Sequence, residues 1–371
     1  MLGPSSLLGL DYNGKFPMVM NYNFGVQTKL PWKFVLDTAY VGSQSRHLLD
    51  KLNLNAIPYG ATFLAQNQDP TKNPGSLLGS SALNRDFLRP YTGFGDISIH
   101  REGSSANYNS LQVSVNRRFA QGFFFGLAYT WSKALGITSG DGDFTRIDGN
   151  TRLANYGPLN FDRRHTFVAN WIYDLPGYFR HNPVTHFLLD GWQNSGDFVH
   201  QTGTPFSVGF SIPGVNNENL TGSYTEGARI HLIGNPLDGT TSSPYNRINP
   251  AAFAPPQQGD LGLGAPVNYL TGPGINNLDL SLQKTFALKE RYQIQLRADA
   301  FNVLNHTQFG GGGGANNSGV NATINYKSLT DHTITNLPFN ANGSINNING
   351  FGTIAQARDP RIMQLAVRVR F

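Results

Sequence analysis

The chain has 371 residues and a net charge of +5, yet only 14% of it is charged, against the roughly 25% usual in soluble domains. It contains no cysteine, which excludes disulfides, thiolate metal sites and thiol nucleophiles, and its dispersed basic residues, with isolated doublets at Arg117-Arg118 and Arg163-Arg164, exclude a nucleic-acid binder's basic patch. No apolar run approaches the roughly 18 residues of a helical span, so any membrane crossing must be made by strands closed into a barrel.

The opening Met1 to Leu10 has no cationic start, no sustained apolar core and no small-residue cleavage site. An exported barrel needs such a leader, so the expectation is that the chain is a piece of a longer reading frame. Alternation of apolar and polar residues then recurs at Met18 to Leu30, Lys33 to Gly42, Asn107 to Phe119, Phe123 to Lys133, Thr166 to Leu175, Trp192 to Thr202, Leu278 to Phe286, Arg291 to Leu304 and Arg361 to Phe371. The period of two predicts about nine strands. Phe94 to Arg101 reads as the upper part of the third, interrupted at Gly103 to Ala106.

The connections alternate in length. They are short at Pro31-Trp32, Ala120 to Gly122 and Ala287 to Glu290, somewhat longer at Pro176 to Gly191, and very long at Ser43 to Gly93, Ala134 to His165, Gly203 to Asn277 and Asn305 to Pro360. Tight turns at one rim and extended loops at the other predict an all-β, transmembrane, antiparallel up-and-down β-barrel, here about nine strands of a larger one. Given these directions, Phe119, Phe123, Tyr173, Phe286, Tyr292 and Phe371 fall at the short-turn rim, and Trp131 and Phe167 near the other, as two interfacial aromatic belts.

Between the belts the faces separate. Tyr292, Ile294, Leu296, Ala298 and Ala300 are expected to face lipid, with Gln293, Gln295, Arg297 and Asp299 facing the lumen; on the last strand Met363 to Val369 alternate with lumen-facing Arg368 and Arg370. Lys284 and Arg117 fall on the lipid set, near a rim, where long cationic chains are expected to snorkel to the headgroups. Gly310 to Gly314 lies in a long Asn-rich loop that is expected to form no core.

Few groupings suggest chemistry. Asp141, Asp143 and Asp148 share one loop as oxygen ligands for a cation, without an EF-hand pattern, since the sixth position from Asp141 is Arg146. The bland reading is a solvated outer loop. Phe161 to His165 and Arg358 to Arg361 read as loop anchors; no serine elbow frames a triad, and His181 and His186 lack a third ligand. No catalytic residue, metal or cofactor is expected.

The motifs Asn107-Tyr-Asn-Ser-Leu-Gln-Val-Ser-Val-Asn-Arg-Arg-Phe119, Gly126-Leu-Ala-Tyr-Thr-Trp-Ser-Lys133, Asp162 to Pro176, Gly191-Trp-Gln193, Gln201 to Phe206, Ala300 to His306 and Ala357 to Ile362 together resemble the barrel of Oar-like TonB-dependent receptors. The resemblance covers most of the chain. It implies that residues 1–371 are the C-terminal portion of a plugged barrel near 22 strands, with plug and N-terminal domains absent from this sequence. It also implies an outer-membrane lipid setting, Phe371 as the terminus met by the barrel-assembly machinery, contact with the TonB system through the missing plug, and uptake of a ligand the sequence does not identify. A structural or adhesive barrel without transport, and a secreted soluble carbohydrate-binding or hydrolytic β protein, are the alternatives.

Overall fold

Alternating side chains with few charges fold as strands whose two faces meet different surroundings, and the computed structural model has that arrangement. It describes residues 4–145, 154–177, 183–241, 243–260, 264–288, 292–310, 319–354 and 356–371. Nine strands pair in consecutive order: β1 (Met18–Lys29), β2 (Phe34–Asn53), β3 (Phe94–Ala120), β4 (Phe123–Gly136), β5 (His165–Asp174), β6 (Trp192–Gln201), β7 (Ile275–Leu288), β8 (Tyr292–Phe301) and β9 (Ile362–Arg370). Every neighbouring pair among them is antiparallel. The sheet ends at β1 and β9, which do not pair with each other. No described helix is long and apolar enough to cross a membrane, which says nothing about strands.

Register fixes the faces. Leu111 lies opposite Tyr40 and Trp131, Val113 opposite Thr38 and Tyr129, Leu282 opposite Asn194 and Ala298, and Leu296 opposite Val367. Apolar and aromatic residues therefore form one continuous outer face. Eight residues separate Phe123 from Trp131, roughly 26 Å along a strand and about 20 Å across the layer once a 35–45° tilt is allowed. At the short-turn rim the Phe34 and Phe125 rings meet edge-on at 6.1 Å, and Phe123 and Tyr173 at 5.9 Å. The Tyr292 side chain lies outside the described atoms.

Three expectations are corrected here. Arg117 and Lys284 do not snorkel: they are only 7% and 3% exposed. Arg117 donates from Nε to the Trp32 carbonyl (3.0 Å) and from Nη1 to the Phe123 carbonyl (2.9 Å), with its guanidinium 5.0 Å from the Phe123 ring. It thereby ties two tight turns together. Lys284 donates to the Asp190 carbonyl and sits 4.9 Å from the Phe286 ring and 5.7 Å from that of Trp192. Beside it, the short helix Pro183–Leu189 stacks Phe187 on Phe286 at 4.9 Å. Further polar groups on the same face are also paired: Asn109 Oδ1 accepts from Tyr22 (3.1 Å) and Tyr40 (2.7 Å), and Asn194 Oδ1 accepts from Trp171 Nε1 (2.8 Å). Each bond offsets the cost of an unsatisfied polar group in an apolar setting.

The second correction concerns the long-loop rim. β2 and β3 continue as a two-stranded ribbon to Asn53 and Phe94, so residues 43–53, expected as loop, are strand. The 27 residues of β3 span about 90 Å, far more than one crossing requires. The irregularity expected at Gly103 to Ala106 is a pair of bulges that leaves the strand continuous: Ser45 pairs with Ala106 and Leu48 with Ser104, which puts an extra residue on β2, with His47 at φ 56°, and Asp50 pairs with Arg101, which puts the next one on β3 itself at Glu102 and Gly103. Above the end of β4, Ser5–Leu10 pairs parallel with β3 from Phe94 to His100.

The long loops do build a core. Phe206, Val208, Ile212, Ile230, Ile248, Phe253 and Leu270 from one loop pack with Val320, Ile324, Tyr326, Phe351 and Ile354 from the other. Short pairings join them, Gly209–Ser211 with Thr323–Asn325 and Leu270–Thr271 with Pro205–Phe206. Of the glycine run, Gly311 to Gly314 lie outside the described residues.

Candidate ligand cavity at the long-loop rim

Three outer loops converge above the sheet and enclose a cavity of about 520 Å³ lined by Asn53, Arg85, Arg89, Asp96, Phe144, Thr145 and residues 224–229. This lies in the range of small-molecule sites. One wall is closed by Asn55, fully buried, whose amide nitrogen donates to the carbonyls of Gly95 (2.8 Å) and Tyr91 (3.0 Å) while its Oδ1 accepts from Tyr91 N (2.7 Å). That knot returns the 54–93 loop to the ribbon. A helical turn, Arg85–Leu88, follows, capped by Asn84 Oδ1 on Asp86 N at 3.1 Å.

The turn presents Arg85 and leads to Arg89. Arg89 is 7% exposed and donates from Nη1 to the Asn55 carbonyl (2.9 Å) and to Asp96 Oδ1 (2.8 Å). Asn53 Nδ2 also donates to Asp96 Oδ1, at 2.9 Å. Burial pushes the Asp96 carboxyl up, but the bonds from Arg89 and Asn53 outweigh it and hold the group below its ordinary range. Asp96 stands on the ribbon, above the membrane-crossing part of β3.

The second wall is the 137–145 segment. Fully buried Asp50 pairs with Arg101 Nε (3.1 Å) and accepts from Thr145 Oγ1 (3.0 Å), and backbone bonds from Lys51 N to Asp143 O (3.0 Å) and Thr145 N to Lys51 O (2.9 Å) complete the seam. The third wall, residues 224–229, is held by Ser223, whose buried hydroxyl donates to the Ile57 carbonyl at 2.6 Å. Gly222, at φ 72°, is required here, since a Cβ would come within 2.4 Å of the Gly60 Cα.

The residues singled out in sequence lie elsewhere. Arg297 and Asp299 are neighbours on the polar face of β8, joined Nε to Oδ1 at 2.8 Å. On β9, Arg368 lies opposite Gln295 and Arg370 opposite Gln293. These four share one face, and none of them lines the cavity under the loops. Asp143 Oδ2 accepts from the backbone nitrogens of Ser139 (2.7 Å) and Gly140 (2.9 Å), Asp141 is exposed, and Asp148 lies outside the described residues. Among the described residues no three metal-ligating side chains cluster. The anchor motifs do pin loops: Asp162 Oδ1 accepts from Ala134 N (2.7 Å), Arg163 Nη1 donates to Thr202 O (2.9 Å), and Arg361 N donates to Asn305 Oδ1 (3.2 Å). Sequence reading missed Arg85, Arg89, Tyr224 and Arg229, which carry no motif; the Asn84 cap before Arg85 was the one local signal.

The outer membrane transporter YddB from Escherichia coli matches at 11% identity and a TM-score of 0.44, over 99% of this chain and 34% of that one. The FrpB iron transporter from Neisseria meningitidis (F3-3 variant) matches at 10% identity and a TM-score of 0.36, over 97% of this chain and 33% of that one. The chain thus spans about a third of the length of these structures. No curated protein sequence matches significantly. The family model described as outer membrane beta barrel domain matches residues 2–364, and the chain belongs to that family of the bacterial outer membrane.

Proposed function

We propose that this chain is the C-terminal part of the barrel of a TonB-dependent receptor, which captures a ligand at its outer loops and passes it along a polar lumen. The observation that carries the reading is the direction of the two open edges. β1 and β9 both run from the long-loop rim to the short-turn rim, so they cannot close antiparallel on each other, nor can the β9 of one copy pair antiparallel with the β1 of a second copy in the same membrane. Antiparallel closure requires an odd number of further strands. A barrel of roughly 22 strands leaves about 13, and each free edge would otherwise face lipid with unpaired backbone groups.

In this reading the cavity under the loops is the capture site, and Arg297, Asp299, Arg368 and Arg370 line the onward path. The plug and the TonB-contacting segment are supplied by sequence outside residues 1–371, and the work done is uptake without catalysis. One observation favours a second reading, an adhesive surface barrel: the outer cap has its own core and presents Tyr245 and Phe339, each 39% exposed and stacked edge-on at 6.0 Å.

The test is an antibody to the peptide Arg358 to Phe371, used on outer membranes of the source cells. A band far above 40.6 kDa, with ligand uptake that collapses on adding a protonophore, is expected. A band near 40.6 kDa with no energy-dependent uptake would overturn the receptor reading in favour of the adhesive one.

A further inference from the structure

We infer that the lipid-facing notch at the outer rim of β4 to β6 binds a lipid of the outer leaflet through a phosphate in its headgroup, with His165, His200 and Lys133 meeting the phosphate and Phe167 and Phe198 the top of an acyl chain. Such a site depends on the outer-membrane setting alone and not on transport.

Cross-strand rows on the outward face build it. Trp131 lies opposite His165, Tyr129 opposite Phe167, Phe167 opposite His200, and His200 opposite Asn276. Tyr129, His165, Phe167, Phe198 and His200 line an open notch of about 340 Å³, in which the Phe167 and Phe198 rings meet edge-on at 5.9 Å. Trp131, 50% exposed, marks the outer aromatic belt beside it, so the notch opens at the level where acyl chains meet headgroups. Each imidazole is oriented through one nitrogen: His165 Nδ1 lies 2.9 Å from the Tyr129 hydroxyl, and His200 Nδ1 contacts Asn276 Oδ1. Nε2 of both rings has no partner among the described residues. An N–H at that position donates to a phosphate oxygen, and the bond strengthens where the ring carries a positive charge.

Cations stand just above. Lys133 is exposed, two residues beyond Trp131 on the same face of β4, and Arg163 stands two residues before His165. Arg163 donates from Nη1 to the Thr202 carbonyl at 2.9 Å; burial, and then the charge of Arg358, hold its pKa below the ordinary arginine value. Lys133, Arg163 and Arg358 form no ion pair among the described residues. Of the carboxylates beside them in sequence, Asp162 accepts from Ala134 N and Asp359 is exposed.

The opposite rim differs. There the outward cations are taken up by the protein, Arg117 by the Trp32 and Phe123 carbonyls and Lys284 by that of Asp190. Fluid hydrocarbon asks only for apolar side chains, whereas two imidazoles with open Nε2 atoms under cations without carboxylates are the complement of an anionic headgroup.

The test is native mass spectrometry of the whole protein, released from outer membranes in dodecylmaltoside, stripped of lipid and titrated with diphosphoryl lipid A, or with the same lipid after removal of both phosphates. The expected result is saturable binding of the phosphorylated lipid, at least fivefold weaker in the double variant Lys133→Gln, His200→Gln, and as weak for the dephosphorylated lipid on the parent. Arg163 and His165 are left intact because they also hold Thr202 and Tyr129, and an unchanged heat-dependent gel shift verifies that the variant folds. Equal binding in parent and variant, equal binding of the two lipids, or a cross-link from Lys133 to a second protein chain that excludes the lipid would overturn the inference.

Discussion

Replacing Arg117 by leucine separates two accounts of a charge on the lipid-facing side of a strand. If the guanidinium merely tolerated that position, leucine would be neutral or stabilising, since a cation near the rim costs about 0–1 kcal/mol. The geometry argues the reverse. Arg117 makes two charge-assisted hydrogen bonds to turn carbonyls, at 3.0 and 2.9 Å, and lies over the Phe123 ring. Such bonds contribute about 1.5–3 kcal/mol each and the ring contact about 0.5–1 kcal/mol. At the low end of these ranges, and less the rim cost, Arg117→Leu destabilises by about 3 kcal/mol. Arg117→Lys keeps the charge but lacks the rigid fork that reaches both turns, so it falls between parent and leucine. The assay is urea unfolding in outer-membrane vesicles, followed by the gel mobility of unheated samples. A leucine variant as stable as the parent would refute the claim that this cation staples the turns.

Three further outcomes are expected. Asn109→Leu strands the Tyr22 and Tyr40 hydroxyls and costs about 2 kcal/mol in the same assay, and adding Tyr22→Phe and Tyr40→Phe recovers most of it; strictly additive losses would show that the three groups are not coupled. Tyr326→Ala opens the core of the outer cap, at about 3–5 kcal/mol, so protease nicking within 203–274 and 305–360 on intact cells accelerates while the barrel's heat-dependent gel shift stays unchanged. Burial pushes the Tyr326 hydroxyl up to about 12, whereas the unfolded chain ionises near 10, so above about pH 10 the unfolded cap holds fewer protons and cap stability falls until about pH 12. Tyrosinate absorbance follows that titration, and the component should vanish in Tyr326→Phe.

The strands were legible because each crosses an apolar layer with one face, and that demand writes a period of two into Leu278 to Phe286 or Met363 to Phe371 without reference to the rest of the fold. Loop lengths gave the rims for the same local reason. The cap was illegible because its apolar stretches are short, as at Phe206 to Ile212 and Ile324 to Tyr326, and meet only once two loops remote in sequence close on each other. Arg117 and Lys284 were placed on the right face but given the wrong company: the carbonyls that bind them belong to turns, and register alone brings turn and side chain together. The motif Asn302 to His306 was seen without its reason. Asn302 sits at φ 51°, takes a hydrogen bond from His306 N at 3.0 Å and donates to the His306 carbonyl at 3.0 Å, which turns the chain out of β8.

Among the described residues the cap core contains none of β1 to β9; every buried member comes from within 206–270 or 320–354. The membrane sheet, for its part, is held by ladder bonds and by polar groups paired on its own faces. Free energy of the two layers is therefore separable to a first approximation, because distant sites with no shared partners contribute additively. Substitutions around the cavity alter the outer face without touching the strands that must insert and assemble, apart from those few, Asn55 and Arg89 first among them, that tie loop to ribbon. Arg89 lines the cavity and also holds the fold, through the Asn55 carbonyl and Asp96, whereas Arg85 is exposed at the same cavity. A urea-unfolding scan around the cavity should accordingly find a loss of about 2–3 kcal/mol in Arg89→Ala, which leaves Asp96 and the Asn55 carbonyl without their partner, and little change in Arg85→Ala.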